Sequence, residues 1–166
     1  MPKRWMLYWL AALLAGGAQA ADKHTAKQAL QCQQQLQCAY FTDVYAADRG
    51  FRNAVLSSFR GSGSKAPAWV ADGVSTPLLP LKVGREDYLL GSVCQPHNCP
   101  HQLRVLYAPR RQQLFGRYSR DDGSVHWLGR PNSSQKALLL DEAAPASPLY
   151  GKLGDSTPLP LQLPGK

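Results

Sequence analysis

Asp87-Tyr88-Leu89-Leu90-Gly91-Ser92-Val93-Cys94-Gln95-Pro96-His97-Asn98-Cys99-Pro100-His101-Gln102-Leu103-Arg104-Val105-Leu106-Tyr107-Ala108 places two apolar runs on either side of a proline-punctuated centre. In the second run Leu103, Val105 and Tyr107 share one parity while Arg104 and Leu106 share the other, the period of a strand whose side chains alternate between faces. Similar short runs lie around it: Leu79–Val83, Asp87–Val93, Gln102–Ala108, Gln113–Ser119 and Ser124–Leu128. Turn chemistry separates them at Gly84-Arg85, Pro109-Arg110-Arg111 and Asp121-Asp122-Gly123. Connections this short force antiparallel neighbours, because a parallel crossover needs a dozen or more residues. The expected fold is therefore α+β, with a five-stranded antiparallel meander covered on one face.

The cover comes from upstream. Val44, Ala47, Phe51, Val55 and Phe59 recur at spacings of three and four, which predicts a helix over Asp43–Phe59. Thr42 or Asp43 is its candidate cap, Gly50 weakens its middle, and Gly61-Ser62-Gly63-Ser64 stops it. A shorter helix is predicted over Ser133–Asp141. Beyond it, Pro145, Pro148, Pro158, Pro160 and Pro164 punctuate a segment, 142–166, expected to be extended, loosely docked or disordered.

The chain begins with Lys3 and Arg4, an apolar run from Leu7 to Ala15, and Ala18-Gln19-Ala20, the pattern of a secretory signal peptide cleaved after Ala20. The expected division is thus leader 1–20, domain 21–141 and Pro-rich tail 142–166. The apolar run is too short to span a bilayer, and no later run approaches the roughly 20 residues required, so no membrane association is expected of the mature form. With 166 residues there is room for one domain and not for separate cofactor and substrate halves. The 14 glycines and 13 prolines argue against a plain helical bundle. Losing Lys3 and Arg4 leaves 17 basic against 11 acidic residues, a net +6 with histidine neutral. An exported protein meets no genome, so this charge points to anionic wall polymers, membrane surfaces, acidic protein clefts or solubility rather than to nucleic acid.

Export also makes disulfides the expected state of Cys32, Cys38, Cys94 and Cys99. Four cysteines allow three pairings, and sequence alone does not choose among them. Local pairing, Cys32–Cys38 and Cys94–Cys99, is the preferred expectation. A continuous helix would set Cys32 and Cys38 about 9 Å apart along its axis, too far for a bond, so pairing there requires a bend.

Between the second and third predicted strands, Cys94–Cys99 would close a ring holding Gln95, Pro96, His97 and Asn98, with His97 at its tip. Pro96 fixes its own φ and restricts Gln95, so the ring has little entropy left to lose on meeting a partner. Other readings compete. The ring could be a staple with an incidental histidine. Cys94, His97, Cys99 and His101 could offer ligands to a metal, yet Pro96 and Pro100 hinder wrapping around one ion. Covalent haem requires a histidine after the second cysteine, where Pro100 stands. A bonded cysteine is no nucleophile.

The ring Cys94-Gln95-Pro96-His97-Asn98-Cys99 resembles the C-K-P-H-D-C loop of the inhibitor of vertebrate lysozyme (Ivy) family. Pro67-Ala68-Trp69-Val70, Gly73, Thr76-Pro77, Val83-Gly84, Tyr88 and Trp127-Leu128 follow the same family in order and spacing, so the resemblance covers roughly residues 66–130. It implies a periplasmic inhibitor of lysozyme rather than an enzyme, with a five-stranded antiparallel sheet flanked by helices; no cofactor or metal is expected. It further implies that His97 engages the catalytic carboxylates of a c-type lysozyme, that Pro96 shapes the loop and that Cys94–Cys99 preorganises it. A bacterial lytic transglycosylase is the alternative target, and a homodimer is compatible with the family. Gln95 and Asn98 stand where the family carries Lys and Asp, so two charges are missing beside the histidine. Such a loop needs help from neighbouring surface, for which His101, Arg104 and the Arg110–Arg111 turn are the candidates. A basic wall-binding module that needs no His97 is the competing class, and metal handling another.

Overall fold

The alternation read in β4 (Asn98–Ala108) organises the molecule. The computed structural model describes residues 24–165, and the proposed leader 1–20 lies outside them. The remaining strands are β1 (Val74–Ser75), β2 (Leu79–Val83), β3 (Glu86–Gln95), β5 (Gln113–Ser119), β6 (Val125–Leu128) and β7 (Leu161–Leu163). They form one seven-stranded sheet in the order β6-β5-β4-β3-β2-β7, with β1 on β3 beyond the end of β2.

The α+β class holds, but the expected five strands are seven. All five predicted strands form, in antiparallel pairs. β1 and β7 are two and three residues long, too short for alternation to show. β7 runs parallel to β2, because the chain returns to that edge only after crossing the far side of the sheet.

Both faces are covered, not one. Leu103, Val105 and Tyr107 join Phe41, Phe51, Val55 and Phe59 in a core beneath α1 (Ala26–Ala29), α2 (Phe41–Ala47) and α3 (Arg49–Gly61). Phe51 bridges the layers, edge-on to Phe41 at 5.2 Å and to Tyr107 at 5.1 Å. On the opposite face Leu90, Leu106 and Phe115 pack under α4 (Ser133–Leu138), Leu149 and Leu163. The Pro-rich segment, expected to be extended, loosely docked or disordered, is in part an extended strand and seals a dry face. Its apolar residues show little periodicity, but Leu149, Leu159 and Leu163 are all buried. The Leu159 amide donates to the Gln33 carbonyl at 3.2 Å, tying this segment to the loop closed by Cys32 and Cys38.

The single helix expected over Asp43–Phe59 is two, broken at Asp48. Asp48 leaves the helical conformation and caps α3, its Oδ1 accepting from the Phe51 amide at 3.0 Å. Its Oδ2 accepts from the Ala26 amide at 2.9 Å, binding the first turn of α1 to the same carboxylate. Neither Thr42 nor Asp43 is the cap of α2; Tyr40 holds that position, and the Thr42 hydroxyl meets Ser75 instead. α3 ends at the glycine-serine stop, as expected. The second helix stops at Leu138, short of the expected Asp141, and begins with an Asn132–Gln135 capping box. Among the described residues no helix is long and apolar enough to cross a membrane.

Two outcomes follow from this packing. Asp48→Ala removes one cap and strands a second amide, so it should cost about 1–2 kcal/mol in a denaturant titration. Burial first, and the Asp48 carboxylate second, push the Tyr107 phenol up to about 12 from 10.0. Above pH 10 the unfolded chain releases a proton that the native protein keeps, so stability should fall as pH rises from about 10 to 12. Tyr107→Phe should flatten that decline in pH-dependent unfolding.

Candidate functional site

The hairpin joining β3 to β4 turns through two residues, Pro96 and His97, with Gln95 opposite Asn98. The proline ring holds φ near −65°, and His97 has a φ of 63°. Proline followed by a residue of positive φ is the demand of a type II turn, whose second position suits glycine or asparagine. A side chain in left-handed backbone costs roughly 1–2 kcal/mol. Strain of this kind persists where the surroundings over-determine it, and functional sites are where it collects. Pro96 and His97 are both exposed. The imidazole thus stands at the apex of the turn, as the sequence led one to expect.

Beneath the turn the pairing jumps. Cys94 pairs with Gln102, but the next residue, Gln95, pairs with Asn98, so Cys99, Pro100 and His101 form a bulge on β4 with no partners on β3. Bulges bend a strand and re-aim its side chains. Cys94 and Cys99 are disulfide-bonded across this step with Cα atoms 4.9 Å apart. Cys32 and Cys38 are bonded as well, around the expected bend, a 3-10 turn at Gln35–Gln37. Both sulfurs of the ring being in a disulfide, Cys94 and Cys99 have no thiolate to offer a metal or a substrate.

His101 does not stand with His97 on the exposed tip. It is half-buried in the bulge, its Nδ1 2.8 Å from Gln95 Oε1 and its Nε2 2.6 Å from the Tyr118 hydroxyl. Trp69 meets its ring edge-on at 5.1 Å. The Asn98 side-chain amide donates to the same Gln95 oxygen at 3.4 Å. Gln95 and Asn98, the two positions where charges are missing relative to the resembling loop, are therefore paired with each other as neutral amides. Burial raises the pKa of the Tyr118 phenol above its ordinary value.

Two expected helpers lie elsewhere. Arg104 is 9% exposed, faces away from α2 and α3, and is ion-paired with Glu142. Alternation along β4 puts it on the face opposite His101. Arg110 pairs with Asp87 at 3.2 Å and Arg111 with Glu86 at 3.1 Å, at the other end of a strand that spans roughly 33 Å. The surface that does border the tip is a register row across five strands, Val74–Cys94–Gln102–Ser119–Val125. Its ends, Val74 and Val125, are exposed at 58% and 37%. The best-formed hollows of the described residues have no residue of 94–101 in their walls. Pro96 and His97 stand exposed at the end of the hairpin instead.

Sequence reasoning missed Tyr118, although its parity in β5 with Leu114 and Gly116 places it on the helix face. It also missed what Gly73 does. A Cβ there would lie 2.4 Å from the Cys94 carbonyl oxygen and 2.6 Å from that of Trp69, so only glycine lets the turn after Trp69 press against the base of the ring.

Comparison with known proteins gives partial matches. An Escherichia coli (strain K12) protein named inhibitor of vertebrate lysozyme is 37% identical over 62 residues, covering 36% of this chain and 40% of that protein. The Pseudomonas aeruginosa protein of the same name is 26% identical over 109 residues, 56% of this chain and 71% of its own length. An uncharacterized Yersinia pestis protein is 30% identical over 88 residues, 44% of this chain and 57% of that one. The chain thus spans two-fifths of the length of the Escherichia coli relative it matches. No family model matches the chain.

Gly73→Ala should force β1 away from Cys94 and destabilise the fold by about 1–3 kcal/mol, the usual cost of overpacking. Thermal unfolding of the oxidised protein measures it, and the amide signals of Val74 and Cys94 should move most.

Proposed function

We propose that the protein is an exported, non-enzymatic inhibitor of a lysozyme-type muramidase, and that residues 95–98 enter the enzyme's cleft with His97 foremost. The observation that carries this reading is an exposed imidazole at the apex of a disulfide-closed turn, held in backbone that a histidine adopts only at a cost. The names of the Escherichia coli and Pseudomonas aeruginosa relatives support it.

The chemistry suits the target. A retaining glycosidase holds two carboxyl groups about 5 Å apart, one protonated as the acid and the other ionised. A neutral imidazole donates to the ionised group and accepts from the acid; a protonated one donates to both. Such bonds are strong in a desolvated cleft, and substrate is excluded by occupancy. Pro96 shapes the approach, Cys94–Cys99 fixes it in advance, and the paired Gln95 and Asn98 leave the imidazole as the polar group that meets the carboxylates. A stable complex buries about 1,200 Å² or more in total. The row from Val74 to Val125 lies beside the tip and supplies the next contacts. Arg104, Arg110 and Arg111 do not.

Export to the periplasm rests on residues 1–20. With the leader removed the chain carries +6, and a basic lysozyme repels it at long range. Association should therefore be slowest at low salt and quicken as salt is added.

Titrating oxidised mature protein against a c-type lysozyme, with clearance of a cell-wall suspension as the readout, tests the reading. Stoichiometric inhibition is expected, with His97→Ala weaker by more than tenfold, the loss of one or two charge-assisted bonds. Unchanged potency in His97→Ala would remove the role given to the tip. Absence of inhibition at large excess would move the target to a bacterial lytic transglycosylase. Salt-sensitive cosedimentation with peptidoglycan that ignores His97 would mark a wall-binding module instead.

A further inference from the structure

Cys94 and Gln95 are consecutive, so their side chains leave opposite faces of β3. The disulfide from Cys94 therefore restrains the tip from one face only. A three-residue bulge held at a single point is a hinge, and a hinge would let the His97 apex swing over the end of the sheet.

The other face carries a second restraint. Gln95 Oε1 can only accept, so the His101 Nδ1 at 2.8 Å carries the proton and donates to it. In the neutral imidazole that choice leaves Nε2 with a lone pair, which accepts from the Tyr118 hydroxyl at 2.6 Å. The chain of donors runs from β5 through the bulge to β3: Tyr118 to His101 to Gln95. Asn98 joins from the tip itself, donating to the same oxygen. Rings hold the imidazole in place from two sides, with Trp69 at 5.1 Å and Tyr118 at 5.4 Å between centroids. Tyr118 is itself anchored in the core, 7% exposed and edge-on to Phe59 at 5.3 Å. Gly73 lets the Trp69 turn approach closely enough to make this cage.

We propose that His101 is a positioning residue: with Tyr118 and Gln95 it braces the bulge opposite the Cys94–Cys99 bond and sets the direction in which His97 points. The proposal rests on the inhibitory reading of the tip, which it deepens by naming what aims the plug. His101 acts through the geometry of the hairpin and not by touching the target.

His101→Phe preserves the ring against Trp69 and loses both hydrogen bonds, while Tyr118→Phe loses only the one to Nε2. Backbone ¹⁵N relaxation of the oxidised protein reads the brace without any partner. The His97 and Asn98 amides should be ordered in the parent protein, near the rigid order parameter of about 0.85, and fall below about 0.6 in His101→Phe. Amides of Leu103–Tyr107 should be unaffected, and Tyr118→Phe should show the same loss in smaller degree. If His101→Phe does not fold, Tyr118→Phe alone decides.

Inhibition of a c-type lysozyme supplies the second readout. His101→Phe should weaken it about tenfold, the worth of lost preorganisation, and should add no further loss in a His97→Ala background. A tip that stays ordered in both variants would overturn the proposal, as would penalties of His101→Phe and His97→Ala that simply add. A parent protein that does not inhibit, but whose tip loosens in His101→Phe, would refute the inhibitory reading and leave the brace standing.

Discussion

From Leu103 to Ala108 every residue of β4 is buried, and much of the molecule answers to that constraint. A strand dry on both faces needs a cover on each, with matching parity along its neighbours. The aromatic residues of α2 and α3 meet Leu103, Val105 and Tyr107. The chain after residue 138 returns to meet Leu106 from behind. Buried polar groups follow the same logic. Arg104, inside on the second face, is ion-paired with Glu142 from the returning segment, since an unpaired charge there would be costly. At its first residues β4 leaves this enclosure, and there the bulge and the tip begin. The scaffold is rigid up to the point at which it projects.

The tip concentrates unfavourable local choices. A histidine sits in left-handed backbone, three residues of β4 lack partners on β3, and a polar ring is half-enclosed beside Trp69. Each is tolerated because restraints converge from both faces, covalent from one and hydrogen-bonded from the other. Gln95 and Asn98 pair with each other as neutral amides, so the polar groups of the ring are satisfied locally and neither residue places a charge beside His97.

Much of the fold was legible because period two is a strong signal over five or more residues. Leu79–Val83 and Gln113–Ser119 match β2 and β5 at both ends. The helix break at Asp48 was not legible, since the three-four spacing from Val44 to Phe59 carries across it. What breaks the helix is one carboxylate serving the amides of Phe51 and Ala26, a contact made across 22 positions of sequence. The returning segment was misjudged for a similar reason: its prolines are visible locally, while the burial of Leu149 and the pairing of β7 depend on a partner face far away in sequence. At the site, His97 and its ring could be read from spacing, because ring closure and turn are local. The work of His101 could not, since it depends on Tyr118 and Trp69, 17 and 32 positions away in sequence, which only the folded sheet and the turn after Trp69 bring to its ring.

If His97 meets the target in its cleft, the imidazole itself reports on it. The ring signals of His97 in the oxidised protein should shift on addition of one equivalent of c-type lysozyme and return when a glycan oligomer fills the cleft. A complex that forms with the His97 signals unmoved, or one that a glycan oligomer does not displace, would contradict the account.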